Sequence, residues 1–358
     1  MKSPIVTDVE SVDRSYLSPG MPDTAVSESD QRLQELGYKS EFRRDMSLFG
    51  VLGISFCAIG ILTGMSSAFQ TGLFSGGPLG LFWGWNAVYT LEGCETAAQV
   101  AEEAKRAEIL APLAVVGSIV GSWLIGLAYM LALLFSVQSI ASVQATSFAI
   151  PIAQLYYDAV GPRLTLMCLT VVALAQFMAA VTAFTASSRL FYALARDNAF
   201  PMKARYMSLN RYQAPYWGVW TSVLVGCIIS CAYIGSAVAF NAILSSAAIA
   251  VMLSYLQPII IRVFWPSTSL PVHGPFSLGR WSWTVNFASF LFTVFICVLF
   301  ILPTAHPTDA LNMNYAIVAV GTVMLLVGAC WAFWGRFHFE GPVQTASSEA
   351  VEGEKVGM

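Results

Sequence analysis

Two acids, Glu92 and Glu95, follow directly on a stretch that carries no charge from residue 46 to residue 91. An ionisable side chain at membrane depth is costly to hold there and marks a functional site by default. Glu95 can hold an ammonium group or carry a coupled proton. It can equally rest at the membrane interface, outside any site. Upstream, residues 57–67 read CAIGILTGMSS. Gly60 and Gly64 remove side chains and permit irregular backbone, and Thr63 adds a hydroxyl. The same Gly60-x-x-x-Gly64 spacing is also that of a close-packing face between membrane helices. Both readings stay open on the residues alone.

Other chemistry finds little support. The seven cysteines lie almost wholly in apolar stretches and form no CxxC pair. Cys227 and Cys231 share a helix face at i, i+4, where small buried hydrophobes are the simpler reading. His273, His306 and His338 have no Cys, Ser or acid at a catalytic spacing. No phosphate loop and no metal or cofactor motif is present, so no cofactor and no enzyme activity are expected. A net charge of -3 without a basic, aromatic-rich patch argues against a nucleic-acid partner.

The elements that must position these residues follow from composition. Only 11% of the 358 residues are charged and 56% are hydrophobic, against about 25% charged in soluble domains. A spanning helix needs about 20 apolar residues, and in lipid every backbone group must be bonded internally. Runs such as 291–302 do not alternate as barrel strands would. The expectation is an all-α polytopic membrane protein with about eight transmembrane helices, at 48–72, 79–100, 110–136, 163–187, 217–236, 240–264, 283–303 and 314–335. The 79–100 segment is short in apolar residues and runs into both acids. Gly117-x-x-x-Gly121 reads as helix packing, Pro258 as a kink, and the long 137–162 loop as carrying a short helix ended by Gly161-Pro162.

Basic residues favour the cytoplasmic side of a membrane. With the N-terminus inside and every segment crossing, Arg163 alone of the 18 basic residues falls outside. The expected organisation is a cytoplasmic tail over 1–45, a transmembrane unit over 46–336 and a cytoplasmic tail over 337–358, in the plasma membrane. Within the first tail, Leu33, Leu36 and Phe42 sit among charges and suggest a surface helix. Trp83, Trp85, Trp265, Trp281, Trp283, Trp331 and Trp334 lie at segment ends, where an interfacial belt is expected.

Several strings carry a family resemblance. SSRLFYALARDNAFP (187–201) resembles the segment after helix eight of the amino acid–polyamine–organocation superfamily. Residues 33–85 resemble the N-terminal helix and the start of helix two in the fungal-type amino acid/GABA/choline permeases of that superfamily. AAQVAEEAKRA (97–107) resembles the end of their helix six. GPFSLGRWSWTVNFAS (274–289) and the stretch 313–342 resemble their last two helices and C-terminal signature. The resemblance covers about residues 30–342, in the family's order.

The resemblance implies a truncated form of a twelve-helix, inverted-repeat transporter. The end of helix two, helices three to five and the start of helix six have no counterpart, and the join falls near Leu91–Glu95. It also implies substrate binding where helices one and six are broken near the midplane. Ile59, Gly60, Thr63 and Gly64 would then line the site, with a partner break at Glu92-Gly93-Cys94-Glu95. The implied activity is secondary active transport of amino acids, GABA or choline-like amines by alternating access, impaired by the internal deletion, with protons as a candidate coupling ion. The alternative is a non-transporting truncated isoform that associates with full-length permease.

Overall fold

The computed structural model describes residue 42 and residues 46–339, apart from 88, 105, 149, 200–201, 236, 266–275 and 303–312. Most of both expected tails, with Leu33, Leu36, His273 and His306, lies outside the described residues. Among those described, the only extended pairing is a single bridge between Met46 and Ala104. Among the described residues, six stretches are long and apolar enough to cross a membrane: Leu48–Ser66, Ala107–Ser136, Pro151–Arg196, Ala242–Phe264, Gly279–Ile301 and Ala316–His338. Tyr216–Gly235 adds a further helix of 20 residues. The protein is a polytopic all-α membrane protein.

Helix α1 (Leu48–Ile59) is started by Ser47, which adopts extended backbone and whose hydroxyl accepts from Gly50 N–H. That is the expected N-cap chemistry. The helix stops after one dozen residues because Gly60 turns into the left-handed region, φ 63° and ψ 63°. Helix α2 (Ile61–Ala87) resumes at the next residue. It is not one rod. A Cβ placed on Gly72 would lie 3.3 Å from Leu81 Cα, and one on Gly64 would overlap the Tyr89 ring. Residues nine apart in a straight helix would be separated by about 13.5 Å. The chain therefore reverses at Gly77 (φ 60°) and Pro78, giving two antiparallel passes.

The return pass is a series of short pieces. After Ala87 come a turn at Tyr89–Leu91, the helix Thr96–Gln99 and a turn at Ala101–Glu103. The expected span over 79–100 is thus a broken segment, interrupted at the expected 92–95 and again on either side of it. It nevertheless comes all the way back. Met46 N–H, just ahead of α1, donates to Glu103 carbonyl at 3.0 Å. The segment begins at the far end of the first pass and finishes level with the start of α1.

Helix α3 (Ala107–Ser136) runs parallel to α1. Gly117 faces Leu52 and Gly121 faces Phe56, four residues apart on both helices, and a Cβ on Gly117 would be 3.2 Å from Leu52 Cδ1. Small residues there let the backbones approach, which is how helices gain dispersion energy in lipid without a solvent driving force. Helix α4 (Pro151–Arg196) contains the expected interruption: Gly161 sits at φ 77°, ψ 172° and is followed by Pro162. Helices α5 (Tyr216–Gly235), α6 (Ala237–Phe264), α7 (Ser282–Ile301) and α8 (Ala316–Cys330) complete the bundle. Pro258 lies inside α6.

Two apolar clusters hold the first half together. Ile61, Met65, Phe69 and Leu73, spaced by four on the first pass, pack with Leu81 and Trp85 of the return pass and Met130 of α3. Val51 packs with Ala97, Val100, Ala104 and Ala114 near the base. Trp85 is 3% exposed, so it belongs to this core and not to the interfacial belt; the other belt tryptophans are exposed. Phe42, expected on a surface helix, is buried edge-on against Tyr192, 5.0 Å between centroids. Cys227 and Cys231 are exposed on α5 rather than buried. The outer face of α4 shows Leu166, Met167, Leu174 and Phe177 more than half exposed. An apolar surface of that extent is suited to lipid.

Candidate functional site

The break at Gly60 is built from glycine because the backbone there has positive φ and because space is short. A side chain on Gly60 would meet Thr63 Oγ1. The Gly60 carbonyl accepts from Thr63 Oγ1 at 3.0 Å and from Gly64 N–H at 2.7 Å. Ending one helix and starting another at a single residue leaves carbonyls of α1 and N–H groups of the first turn of α2 without intrahelical partners. Their partial charges, positive on the N–H side and negative on the carbonyl side, suit a ligand that carries both signs.

The second break lies directly against the first. Gly93 has φ 88°, and a Cβ on it would stand 2.9 Å from the Ala58 carbonyl carbon and 3.0 Å from Ile59 N. No side chain fits between these two stretches of backbone. Thr96 locks the contact. Its hydroxyl donates to Gly93 carbonyl at 2.7 Å and lies 3.2 Å from the buried Ser55 hydroxyl of α1. The expected pairing of a break near Gly60 with one at 92–95 is therefore present in the geometry.

The residues named from sequence do not all play equal parts. Ile59, Thr63 and Gly64 are buried at the break. Thr63 donates its proton back to the Gly60 carbonyl at the break, and Gly64 provides room for the Tyr89 ring. Glu95 is held from α6, where the Tyr255 hydroxyl donates to its carboxylate. No sequence signal singled out Tyr255, one aromatic among many in an apolar helix. Glu92, the other acid of the expected break, has its Oε1 shut off from solvent with no hydrogen-bond partner among the described residues. Serines 187 and 188, near the end of α4, face α5, where Ser187 hydrogen-bonds Ser222 and Ser188 packs on Gly218.

Below the site, charged residues tie the return pass to α4. Arg189 Nε donates to Glu103 at 2.7 Å and Arg196 to Glu102 at 3.0 Å. The end of the return pass, the start of α1 and the end of α4 thus meet at one end of the bundle.

Comparison with known proteins shows the family. A family model described as amino acid permease matches residues 46–325. The chain belongs to the amino acid permease family. Amino-acid permease BAT1 of Arabidopsis thaliana is 34% identical over 268 residues, 73% of this chain and 52% of that protein. The GABA-specific permease of Saccharomyces cerevisiae is 26% identical over 268 residues, 74% of this chain and 47% of its own. The choline transporter of the same yeast is 26% identical over 289 residues, 78% of this chain and 50% of its own. The chain spans about half the length of the curated relatives it matches. No solved structure matches it significantly. The relatives are named permeases and transporters, in line with the expectation of no enzyme activity.

Proposed function

We propose that this chain is a secondary active permease for amino acids, GABA or choline-like amines, binding substrate at the paired breaks and moving it by alternating access, with throughput reduced by the missing segments. The observation that carries this reading is the approach of Gly93 to the Ala58–Ile59 backbone. It joins two discontinuous helices, whose ends offer N–H and carbonyl groups without intrahelical partners, the arrangement in which transporters hold a charged substrate. Ile59, Gly60, Thr63 and Gly64 contribute backbone and small-residue space, and Glu95 supplies the negative charge for an ammonium group or a coupled proton. The tyrosine bond from α6 holds Glu95 between the first-half helices and the second.

The same reading places both termini in the cytoplasm of a plasma-membrane protein. It is supported by the placement of basic residues and by the ion pairs that gather Arg189 and Arg196 at the end where α1 begins. The resemblance to a twelve-helix scheme supports the reduced throughput, since helices that would brace the moving bundle have no counterpart.

The test is uptake into proteoliposomes containing the purified chain, with labelled amino acids, GABA and choline, and with an imposed proton gradient. Saturable uptake of at least one, slower than that of a full-length relative and lost in Gly93→Val, is the expected result. Absence of uptake of all three overturns the transport reading. If the chain then co-purifies with a tagged full-length permease, the non-transporting isoform takes its place.

A further inference from the structure

The first pass of α2 and helices α3 and α4 border a groove of about 320 Å³. Its wall includes Leu62 of α2, Tyr129 of α3, and Tyr156, Leu164, Met167 and Val171 of α4. It shares no residue with the paired breaks. None of its described lining residues is charged. The Tyr129 and Tyr156 hydroxyls hydrogen-bond each other, so their polarity is spent within the wall. Leu164 and Met167 are more than half exposed, and the groove opens on the apolar outer face of α4.

Water is a poor occupant of such a groove, because an ordered water needs several polar partners. A helix from another chain is also a poor one. Helix interfaces in lipid use Gly, Ala, Ser and Thr to bring backbones close, and none of these is among the described lining residues. An acyl chain needs only dispersion contact. The charge at the mouth narrows its kind. Arg163 stands one helical turn before Met167, on the same stripe of α4, and is exposed. It is the one Lys or Arg between Arg106 and Arg189. The nearest acid in sequence, Asp158, accepts from Ser142 on one carboxylate oxygen and from Gln154 on the other. Among the described residues no ion pair to Arg163 forms. Depth agrees with a headgroup at this position. Arg163 and Arg189 are separated along α4 by about 39 Å of helix, more than the hydrocarbon thickness of about 30 Å. Arg163 therefore lies at the end of the bundle opposite the Arg189–Glu103 pair. Residues 164–172 reach about 12 Å inward from it, within the half-thickness that one leaflet's chains fill.

We propose that this groove is a binding site for one membrane glycerophospholipid, with its phosphate on Arg163 and an acyl chain along Leu164, Met167 and Val171. The guanidinium supplies a charge-assisted contact to phosphate oxygens, and the groove supplies the length of apolar contact that a smooth helix face lacks. The lipid would bridge α2 to α4 through Leu62, just past the Gly60 break, and would cover the Gly161 bend between Val160 and Leu164. It is a structural lipid beside the transport site and does not enter it.

The probe is phosphatidylglycerol carrying a diazirine in one acyl chain, with diacylglycerol carrying the same chain as the counterpart without phosphate. Each is reconstituted with the purified full chain, photolysed, and the cross-links are mapped by peptide mass spectrometry. Phosphatidylglycerol is expected to label residues 160–172 several-fold above the exposed α8 face around Val323–Val327, and diacylglycerol to show no such preference. Arg163→Gln should lower the groove labelling about fivefold, the scale of one charge-assisted contact at an exposed position. Cys168→Phe, which fills the wall without touching Arg163, should lower it to a similar degree and decides the matter if Arg163→Gln does not elute as a folded species. Equal groove labelling by diacylglycerol, labelling spread evenly over both faces, or labelling unchanged in these variants overturns the proposal. So does an unlabelled groove, and bifunctional maleimide cross-linking of Cys168 between chains would then assign it to a protein partner. The readout is independent of uptake, so this site and the transport reading can fail separately.

Discussion

Gly93 and Gly161 both interrupt helical segments with positive φ, 88° and 77°, yet they sit in opposite surroundings. A Cβ on Gly161 would meet nothing within 4 Å, whereas one on Gly93 would press into the backbone of α1. The first is a local turn, set by the Gly-Pro dipeptide and open around it. The second is a tertiary contact whose shape depends on two elements at once. The contrast teaches that a positive-φ glycine is by itself only a bend. What makes the Gly93 break a site is the second backbone held against it, with Thr96 and Ser55 fixing the pair.

The largest effect should come from closing that gap. Gly93→Ala adds backbone strain and a Cβ at 2.9 Å from Ala58, and is expected to destabilise the protein by about 3 kcal/mol or more, overpacking and left-handed strain together. A thermal unfolding midpoint in detergent measures it, and a shift no larger than that of Gly161→Ala would remove the distinction between the two breaks. Arg189→Ala comes next. It leaves Glu103 facing a largely shielded position, with the two side chains 17% and 13% exposed, and should cost about 2 kcal/mol, between exposed and buried pairs. Glu103→Gln combined with it should cost less than the two added, in a double-mutant cycle.

Tyr255→Phe removes the donor to Glu95 from α6. The expected loss is about 1–2 kcal/mol, with a change in uptake larger than the change in stability, because the bond positions the proposed charge. Equal small effects on both would reduce it to packing. Gly161→Ala should be the mildest, about 1 kcal/mol from left-handed backbone alone, with uptake unchanged. Read in order, the four changes either keep the paired break apart from the open one or merge them.

The sequence made much of this visible. Apolar runs without charge located seven helices because lipid imposes the same length and hydrogen-bonding demand on each. Gly161-Pro162 was legible because that dipeptide cannot continue a helix locally. Gly117 and Gly121 were legible as a packing face, and Leu52 and Phe56 prove to be what they pack on. The break at Gly60 was reached through resemblance, and its partner at 92–95 likewise. Residues 79–100 read as one span, yet the pieces between Tyr89 and Glu103 are too short and too hinged to be one helix. The hinge is a set of φ values at Gly77 and Gly93 that composition does not encode.

By itself, then, the sequence determined what each segment can tolerate: which stretches live in lipid, where glycine permits a bend and which acids lie at membrane depth. Only the tertiary structure decided what stands opposite. It put Gly93 against Ala58 and Tyr255 on Glu95, moved Trp85 from a belt to the core, and shut Glu92 Oε1 off from solvent with no hydrogen-bond partner among the described residues. The physical reason is range. Burial, backbone freedom and charge cost are properties of a residue and its immediate neighbours, while a hydrogen bond between residues 95 and 255 depends on how the helices between them stack.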